Sequence, residues 1–578
     1  MSSTRVPGPR SHDASPAELS GPALSRFVWE TKYRKGEERS LRDSWRRIAR
    51  ALASVEAEPG DWTPRFEAVL KGFRFLPGGR IQAGAGREGA VLFNCFVLPG
   101  PSQSVQRSLE ALADTVATLR AGGGVGCDFS AAPPMGWPAL DGPPAPGPVA
   151  YLELWDEACR TFLAQSARQG AMLGVLRCDH PDVEAFVAAK RAPGSLRRFN
   201  LSVGVTDAFM TAVEADADWS LRHPDEGAPV RTLRARELWE HILRCAYDSG
   251  EPGVLFLDRI NAANNLGWRE RIAATNPCGE VPLPEYGACD LGSLNLAAFV
   301  RNPFTERAAL DLDALADTAA VAVRMLDDAI ELSAFPLAAQ AKTARASRRI
   351  GLGLTGLADA LVMLGARYGS RASLALGRRV LRILRDAAYG SSIALAREKG
   401  AFPAFQSEPY LESEFVRRLP VRLRQLIAQH GIRNSHLLAI APTGSISLLA
   451  GGVSTGIEPI FAGVQLRTVR TAGGGSRTIR TLDPALALWR GRGLAGEPPG
   501  FVTARELPVE AHLAMQAALQ PFVDNAISKT VNVAADLSFE AFRSLFERAY
   551  ALGLKGCTAF RAMREAVLRE VGGTCLAP

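Results

Sequence analysis

The stretch "WDEACRTFLAQSARQGAMLGVLRCDHPDVEAFVAAKR", residues 155–191, reads as a helix, a loop, a strand, a turn and a second helix. The next stretch, "FNLSVGVTDAFMTAV" at 199–213, repeats the order of strand and then helix. The alternation continues in "EPGVLFLDRIN" and returns near the end in "SKTVNVAADLSFEAFRSLFERAYALGLKGCTAF". Repeated alternation of this kind predicts an α/β architecture.

No internal repeat or interior linker divides the 578 residues. The sequence therefore favours one large α/β barrel over the three or four domains that this length would also allow. Helical spacing in "LRDSWRRIARALASVEA" and "FEAVLKGFRF" predicts an N-terminal helical region over 26–88. We expect residues 1–25 to be disordered, 89–561 to form the barrel, and 562–578 to be a mobile tail.

The charge balance points to an anionic ligand of modest size. A net charge of +7 favours polyanions such as nucleotides or nucleic acids. The arginines are dispersed, with only small clusters such as Arg348-Arg349 and Arg417-Arg418, and no basic tail is present. Nucleic-acid binding is therefore the weaker interpretation. The sequence shows neither a signal peptide nor an apolar run of membrane-spanning length, which predicts a cytoplasmic protein.

The cysteines and histidines limit the chemistry further. The nine cysteines include no C-x-x-C pair, so a structural disulfide framework is not expected in the cytoplasm, and a working disulfide would be catalytic and transient. The seven histidines form no H-x-x-x-H or H-E-x-x-H pattern. A metal site held by the protein is therefore not expected.

The stretch "TNPCGEVPLPEYGACDLGSLNL", residues 275–296, is the most unusual part of the chain. It places Asn276, Cys278 and Glu280 at alternate positions. In extended backbone these side chains would point to one side, so a reactive sulfur, a carboxylate base and an orienting amide could converge on one small ligand. The pattern is also compatible with a turn that buries a structural cysteine, because Asn, Pro and Gly are ordinary turn residues.

Three further motifs are open to two interpretations each. Cys95 in "LFNCFVLPG" and Cys289 could form a redox pair or could be separate core cysteines, and the sequence does not show that they meet. The motif "APTGSISLL" at 441–449 could bind a phosphate at a helix N-terminus or could be a simple cap. The motif "AGGGVGCDF" at 121–129 allows close approach of a ligand but is not a dinucleotide fingerprint.

Taken together, these motifs resemble the ribonucleotide reductases, specifically the adenosylcobalamin-dependent (class II) type. The resemblance runs from about residue 27 to 561. It is carried by "FRFLPGGRIQAGAG", "LFNCFVLPG", "GGGVGCDFS", "LRCDHPDVEAFVAAKR", "FNLSVGVTDAFM", "TNPCGEVPLPEYGACDLGSLNL", "RRIGLGLTGLADAL", "APTGSISLLAGGVSTGIEPIF" and "SKTVNVAADLSFEAF".

The resemblance implies a ten-stranded α/β barrel with the 276–280 stretch on a finger loop inside it. It implies that Cys278 becomes a thiyl radical that abstracts the ribose 3′-hydrogen, that Glu280 is the general base and that Asn276 orients the ribose hydroxyls. It also implies that Cys95 and Cys289 reduce the substrate and end as a disulfide. The implied substrate-binding residues are Asn94, Gly123, Gly124, Pro442, Thr443, Gly444, Ser445 and Ile446.

The same resemblance implies partners. These are a ribonucleotide (we expect a diphosphate), adenosylcobalamin, dNTP or ATP effectors, a thioredoxin-like or dithiol reductant, and a second copy of the chain in a homodimer. An allosteric loop is implied at Gln165, Ser166, Arg168 and Gln169, and a redox tail at Cys575.

The chain departs from the family pattern in places that concern regulation and re-reduction. "PGPSQSVQRS" replaces the usual Asp-Ser pair after Cys95, and "AQSARQGAM" has fewer glycines than the family loop. These departures predict altered or weak effector control. Cys575 stands alone in "GGTCLAP", where the family carries a cysteine pair.

Two alternatives remain. The first is the large subunit of a metal-radical reductase, which would need a partner protein. Such a subunit relays the radical through adjacent tyrosines, whereas this chain has no adjacent tyrosine pair and reads "GCTAFR" in the matching region. The second alternative is a non-catalytic nucleotide-binding regulator. The complete set of Asn276, Cys278, Glu280, Cys95 and Cys289 argues against it.

Overall fold

The computed structural model describes residues 18–19, 21–138, 143–163, 170–192, 194–470, 476–561 and 568–569. Its main sheet has ten strands and is built from two parallel halves. Parallel neighbours in the first half are, in order, Cys95–Leu98, Gly124–Asp128, Met172–Arg177, Phe199–Val205 and Gly253–Phe256. The second half contains Ala288–Asn295, Ile350–Thr355, Thr530–Val533 and Gly556–Arg561.

The extended segment 437–441 closes the second half into a barrel. Leu352 bridges to Leu438 on one side of it, and Ile440 bridges to Ile527 on the other, both in parallel. The two halves meet in antiparallel pairs, Cys289 with Cys95 at one junction and Cys557 with Val254 at the other. The tenth strand of the sheet, Phe75–Pro77, pairs with Ala288–Asn295 outside this path. The predicted ten-stranded α/β barrel is therefore confirmed.

Helices connect and surround these strands. The described α-helices are Gly21–Val28, Leu41–Ala53, Pro59–Leu70, Gly79–Gly84, Val105–Arg120, Gly147–Phe162, Val183–Ala188, Asp207–Glu214, Ala235–Ser249, Leu257–Ala262, Leu312–Leu332, Ala338–Ser347, Leu357–Met363, Arg371–Lys399, Ser407–Glu412, Glu414–Arg417, Val421–His430, Gly444–Leu449, Pro484–Gly491, Val509–Leu519 and Phe539–Ala551. Shorter helical turns lie at Trp29–Tyr33, Lys71–Phe73, Leu296–Phe299 and Gln520–Phe522. No helix in these described ranges is both long and apolar enough to cross a membrane.

Local sequence explains where many of these elements begin. Ser104 caps the helix Val105–Arg120 by accepting a hydrogen bond from the Arg107 amide, which satisfies one of the free N–H groups of the first turn. The strand Met172–Arg177 is buried along almost its whole length, because a parallel strand covered by helices contacts apolar groups on both faces. The apolar run "MLGVL" therefore predicts its position.

The N-terminal region differs in detail from its predicted boundaries. The helix expected from residue 66 begins earlier, at Pro59, and ends at Leu70, because Gly72 adopts a positive φ of 69°. Phe75–Pro77 is a strand. The predicted boundary at residue 25 falls inside the helix Gly21–Val28.

A two-residue strand occurs in each of the two terminal segments, 1–25 and 562–578, that the sequence analysis placed outside the barrel and the helical region. Glu18–Leu19 pairs with Ser476–Leu482, and Leu568–Arg569 pairs with Val464–Arg470. Residues 1–17, 20, 562–567 and 570–578 lie outside the described ranges.

Four hairpins were not predicted individually. They pair Asp218–Arg222 with Pro229–Arg234, Ala274–Thr275 with Pro282–Leu283, Val300–Arg301 with Ala309–Leu310, and Val464–Arg470 with Ser476–Leu482. The hairpin at 274–283 enters the barrel and carries the finger residues.

Buried ion pairs account for part of the arginine content. Arg348 is 3% exposed and donates to Asp327 at 2.9 Å. Arg349 is 2% exposed and pairs with Glu270. Arg324 pairs with Glu56 at 2.8 Å, which ties the N-terminal helices to the helix Leu312–Leu332. The Arg348-Arg349 cluster is thus an internal feature and does not form a basic surface.

Candidate active site

The finger hairpin fills the centre of the barrel. Its strands Ala274–Thr275 and Pro282–Leu283 pair antiparallel. Ala274, Val281 and Leu283 pack in one buried cluster with inward-facing barrel residues such as Leu173 and Leu291. These apolar contacts hold the base of the hairpin in place, which gives its tip a defined position inside the barrel.

Glycines in the strand Gly124–Asp128 give the hairpin the room that it needs. A Cβ at Gly126 would lie 1.7 Å from the carbonyl oxygen of Thr275. A Cβ at Gly124 would lie 3.2 Å from Cγ of Pro277. The glycine-rich motif at 121–129 therefore lets the finger backbone pass close to the barrel wall.

The finger tip is a tight turn, which corrects the expectation of extended backbone at 276–280. The Gly279 amide donates to the Asn276 carbonyl at 3.0 Å, and Gly279 has a φ of +82° that favours glycine. The Asn276 side chain closes the turn by accepting from the Val281 amide at 2.9 Å. Asn200 holds the tip from outside by donating to the Pro277 carbonyl at 3.0 Å.

Around Cys95 the turn brings the predicted catalytic side chains together. The amide of Asn276 donates to the Cys95 sulfur at 3.2 Å, and that sulfur lies 3.8 Å from Oε1 of Glu280. Cys95 and Cys289 are direct partners across the antiparallel junction of the two barrel halves. Such partners have Cα atoms roughly 4.5–5.5 Å apart, which is within the range that a disulfide spans. Both cysteines are free thiols here.

Burial sets the proton affinity of these groups. It raises the pKa of Glu280 from 4.5 to about 7, and Oε2 of this carboxyl has no hydrogen-bond partner in the described parts of the chain. Burial also raises the pKa of Cys95 and of Cys289 well above the ordinary value, so both remain thiols at neutral pH. At that pH Glu280 is divided between its acid and its base form.

Two cavities meet at Cys278, and this residue is half-buried. The smaller cavity, of about 90 Å³, is lined by Cys278 and by the predicted site residues Asn94, Cys95, Gly123, Gly124, Asn276, Glu280 and Pro442. The larger cavity, of about 330 Å³, lies against the strands Phe199–Val205, Thr530–Val533 and Gly556–Arg561. Cys278, Pro277 and Pro442 line both cavities.

Other predicted site residues take different positions. Thr443, Gly444, Ser445 and Ile446 are buried and line neither of these two cavities. The Thr443 hydroxyl contacts that of Thr355 at 2.8 Å, and the Ser445 hydroxyl contacts that of Tyr33 at 2.6 Å. Their role in phosphate binding stays a prediction.

The predicted allosteric and redox-tail residues fall in parts of the chain that the structure does not describe. Gln165, Ser166, Arg168, Gln169 and Cys575 lie outside the described residues. Within the described ranges, no group of three or more His, Cys, Asp or Glu side chains has the arrangement of a metal site.

Sequence reasoning missed the residues that hold the finger from a distance. Asn200 supports its tip, and Arg349 donates to the Pro282 carbonyl at its base at 2.6 Å. Asn200 lies in "FNLSVGVTDAFM" and Arg349 in "RRIGLGLTGLADAL", and neither motif indicates a contact with the finger. Their contacts join positions far apart in the chain, so only the closed barrel reveals them.

The comparisons with known proteins agree with this geometry. The family described as "Ribonucleotide reductase, barrel domain" matches residues 93–490 and 494–560, which include the finger and both junction cysteines. The chain belongs to the ribonucleotide reductase family. The matched residues include the finger hairpin and the barrel strands from Cys95–Leu98 onwards.

Individual relatives differ in their similarity to this reductase. A vitamin B12-dependent ribonucleoside-diphosphate reductase of Mycobacterium tuberculosis is 39% identical over 545 residues, which cover 89% of this chain and 75% of that protein. A protein of the same name from Thermoplasma acidophilum is 33% identical, covering 89% of this chain and 67% of its own length. A ribonucleoside-diphosphate reductase subunit alpha of Chlamydia trachomatis is 24% identical over 72% of this chain and 45% of its own length.

Proposed function

We propose that this chain reduces ribonucleoside diphosphates to 2′-deoxyribonucleotides with adenosylcobalamin as its radical source. The position of Cys278 between two separate cavities carries the proposal. A radical cysteine must contact its substrate on one side and its radical source on the other. The small cavity is lined by Asn276, Glu280 and Cys95 and suits the reacting part of the ribose.

The buried side chains support the individual steps of ribose reduction. The Cys278 sulfur takes the 3′-hydrogen and returns it at the end. Glu280 takes the proton of the 3′-hydroxyl, and a pKa near 7 lets it act as a base at neutral pH. The bond from C2′ to its hydroxyl breaks and water leaves. Cys95 and Cys289 supply two electrons and two hydrogens by closing a disulfide, which balances the reaction.

The walls of the large cavity fit a cofactor with a nucleoside end. The cavity volume of about 330 Å³ is similar to that of a nucleoside. Small or polar residues such as Ser202, Gly253, Thr530 and Thr558 form one of its walls. When bound, adenosylcobalamin supplies the homolytic chemistry that converts the Cys278 thiol into a thiyl radical. The barrel keeps this sulfur away from bulk water, which protects it from side reactions.

The metal-radical alternative receives less support. The strand Gly556–Arg561 forms a wall of the large cavity and contains no tyrosine that could relay a radical from another subunit. The two compared proteins named as B12-dependent diphosphate reductases are 39% and 33% identical to this chain, against 24% for the compared alpha subunit.

We also propose that the chain is a homodimer that responds to dNTP or ATP effectors. Apolar side chains project from two helices that pack together, with Val105 67% and Leu109 53% exposed on one and Leu154 43% and Phe162 60% exposed on the other. Exposed apolar side chains grouped in this way are typical of an interface. A thioredoxin-like protein or a small dithiol would re-reduce Cys95 and Cys289.

An anaerobic assay of the purified chain with a ribonucleoside diphosphate, a dithiol and adenosylcobalamin tests the proposal. We expect the 2′-deoxynucleotide as product, together with exchange of tritium between the 5′-position of the cofactor and solvent through the Cys278 thiol. A requirement for a separate iron or manganese protein, with no response to adenosylcobalamin, would support the metal-radical alternative instead.

A further inference from the structure

A closed turn at residues 34–38 carries the half-buried side chain of Lys35. The Glu38 amide donates to the Lys35 carbonyl at 3.0 Å, and the Lys35 amide donates to the Glu38 carboxylate at 2.8 Å. The side chain of Arg34 donates to the Glu38 carbonyl at 2.8 Å. Because these bonds fix the backbone of the turn, the side chain of Lys35 starts from a defined position.

Other cations surround this lysine. Three guanidinium groups act on its charge, those of Arg47, Arg80 and Arg87, and the carboxylate of Glu38 partly offsets them. Burial and, after it, the charge of Arg87 lower the pKa of Lys35 below its usual value. The cation cluster, consisting of the lysine and the three arginines, therefore carries an excess of positive charge that an anion would relieve.

Two members of the cation cluster are available to a ligand. Within the residues that the structure describes, neither the Lys35 ammonium nor the Arg87 guanidinium makes a hydrogen bond or an ion pair. Arg47, in contrast, pairs with Glu38 at 2.7 Å, and Arg80 donates to two backbone carbonyl groups. Lys35 and the exposed Arg87 are thus the charges that an anionic ligand can reach.

Arg80 connects the cation cluster to the edge of the small cavity. Its Nη2 donates to the Ala121 carbonyl at 2.6 Å, and a Cβ at Gly122 would lie 2.3 Å from its Nη1. The next residue, Gly123, lines the small cavity. The cation cluster therefore lies close to the space in which the ribose would react.

A second connection reaches the same cavity through the helix Gly444–Leu449. Tyr33, two residues before Lys35, has its hydroxyl 2.6 Å from that of Ser445. Pro442, three residues before Ser445, lines the small cavity. Two separate parts of the cavity lining thus lead to the turn that carries Lys35.

The size of the small cavity leaves the phosphate groups of a nucleotide outside it. A volume of about 90 Å³ holds the reacting part of a ribose but not a whole nucleoside diphosphate. A terminal phosphate is a compact anion, and both an ammonium and a guanidinium bind it through charge-assisted hydrogen bonds. An uncharged ligand would leave the excess charge of the cation cluster in place.

We propose that Lys35 and Arg87 bind the terminal phosphate of the ribonucleotide and thereby favour a diphosphate over a monophosphate. This inference rests on the proposed function, because it requires the ribose to lie in the small cavity. The two residues determine specificity and take no part in the radical steps. A monophosphate would not extend as far as these two side chains.

Calorimetric binding of CDP and CMP to the purified chain, without cobalamin, tests the assignment. Lys35→Gln should weaken CDP binding about tenfold, the loss of one charge-assisted hydrogen bond, and leave CMP binding unchanged. Arg87→Gln should weaken CDP binding about threefold, because the exposed guanidinium is better screened by solvent. Lys35→Arg keeps the positive charge and should retain most of the affinity for CDP.

Turnover and salt dependence give two further readouts. Lys35→Gln should raise the KM for CDP at unchanged kcat, because the terminal phosphate contact is the same in the ground state and the transition state. Added salt should weaken CDP binding to the wild-type chain more than to Lys35→Gln, since salt screens the interaction between exposed charges.

Lys342→Gln is the matched control, because it removes the same charge from an exposed lysine of the helix Ala338–Ser347. We expect this control to bind CDP and CMP like the wild-type chain. Full CDP affinity in Lys35→Gln, or an equal loss of affinity for CDP and CMP, would overturn the assignment. Failure of the proposed function would appear separately, as absence of cofactor-dependent turnover by a wild-type chain that still binds CDP.

Discussion

Cys95 is the side chain at which the parts of the candidate active site meet. It contacts Asn276 at 3.2 Å and Glu280 at 3.8 Å, and it is the register partner of Cys289. Because burial keeps both cysteines in the thiol form, each can deliver a hydrogen atom or a proton. The half-buried Cys278 lies between the two cavities and is suited to a different task, the exchange of a hydrogen with two ligands.

Cys278→Ser should abolish turnover without changing the fold or nucleotide binding. An alcohol O–H bond is far harder to cleave homolytically than a thiol S–H bond, while serine is close to cysteine in size. Product formation and calorimetric binding of a ribonucleoside diphosphate measure the two effects. Normal product formation by this variant would show that another group carries the radical.

The rate of the reaction should rise with pH, with a midpoint near 7. Glu280 acts as a base only when it is ionised, and burial raises its pKa from 4.5 to about 7. The ionised fraction is therefore small below about pH 6 and nearly complete above about pH 8. Glu280→Gln should lower the rate by roughly 10²–10⁴-fold and remove this dependence. A midpoint that is unchanged in the variant would assign the titration to a different group.

At the scale of elements, the finger and the strand Gly124–Asp128 depend on each other. The alternation of strands and helices predicted the barrel, the motif at 275–296 predicted three side chains that could converge, and the family resemblance implied that they lie on a finger inside the barrel. Pro277 and Gly279 indicated a turn, but the alternate spacing did not show that the backbone at 276–280 is a tight turn and not an extended segment. The sequence also did not predict the support of the finger by Asn200, because that contact joins positions 77 residues apart.

Gly126→Ala should displace the finger. Its Cβ would lie 1.7 Å from the Thr275 carbonyl oxygen, a backbone atom that cannot rotate away. We expect a loss of about 1–3 kcal/mol in the free energy of unfolding, the usual cost of overpacking, and a larger relative loss of turnover. Chemical denaturation and the reductase assay measure these changes.

Gly390→Ala provides the comparison for this change. It lies in the helix Arg371–Lys399 with open space around it, so it should raise stability by about 0.5–1 kcal/mol. Equal stability and activity of the Gly126 and Gly390 variants would mean that the finger does not need the close approach.

At the scale of the whole molecule, the disulfide proposed between Cys95 and Cys289 must be reduced again after each turnover. Cys575 is the single cysteine of residues 562–578, so these residues alone cannot form a shuttle disulfide. We expect a small dithiol to support turnover, and thioredoxin alone to do so poorly unless a second chain supplies the missing thiol. Multiple turnovers with thioredoxin as sole reductant, retained in Cys575→Ser, would show that thioredoxin reaches Cys95 and Cys289 without the tail.

The junction of the two barrel halves has a consequence for biosynthesis. Cys95 lies in the first strand of one half and Cys289 in the first strand of the other, so neither half contains the pair. A ribosome releases the first half well before the segment 437–441 and the strands that follow it can close the barrel. During this interval the thiols of Cys95, Cys278 and Cys289 are open to oxidants and to wrong pairings with one another. A nascent chain of this reductase therefore needs a reducing environment before it performs any reduction itself.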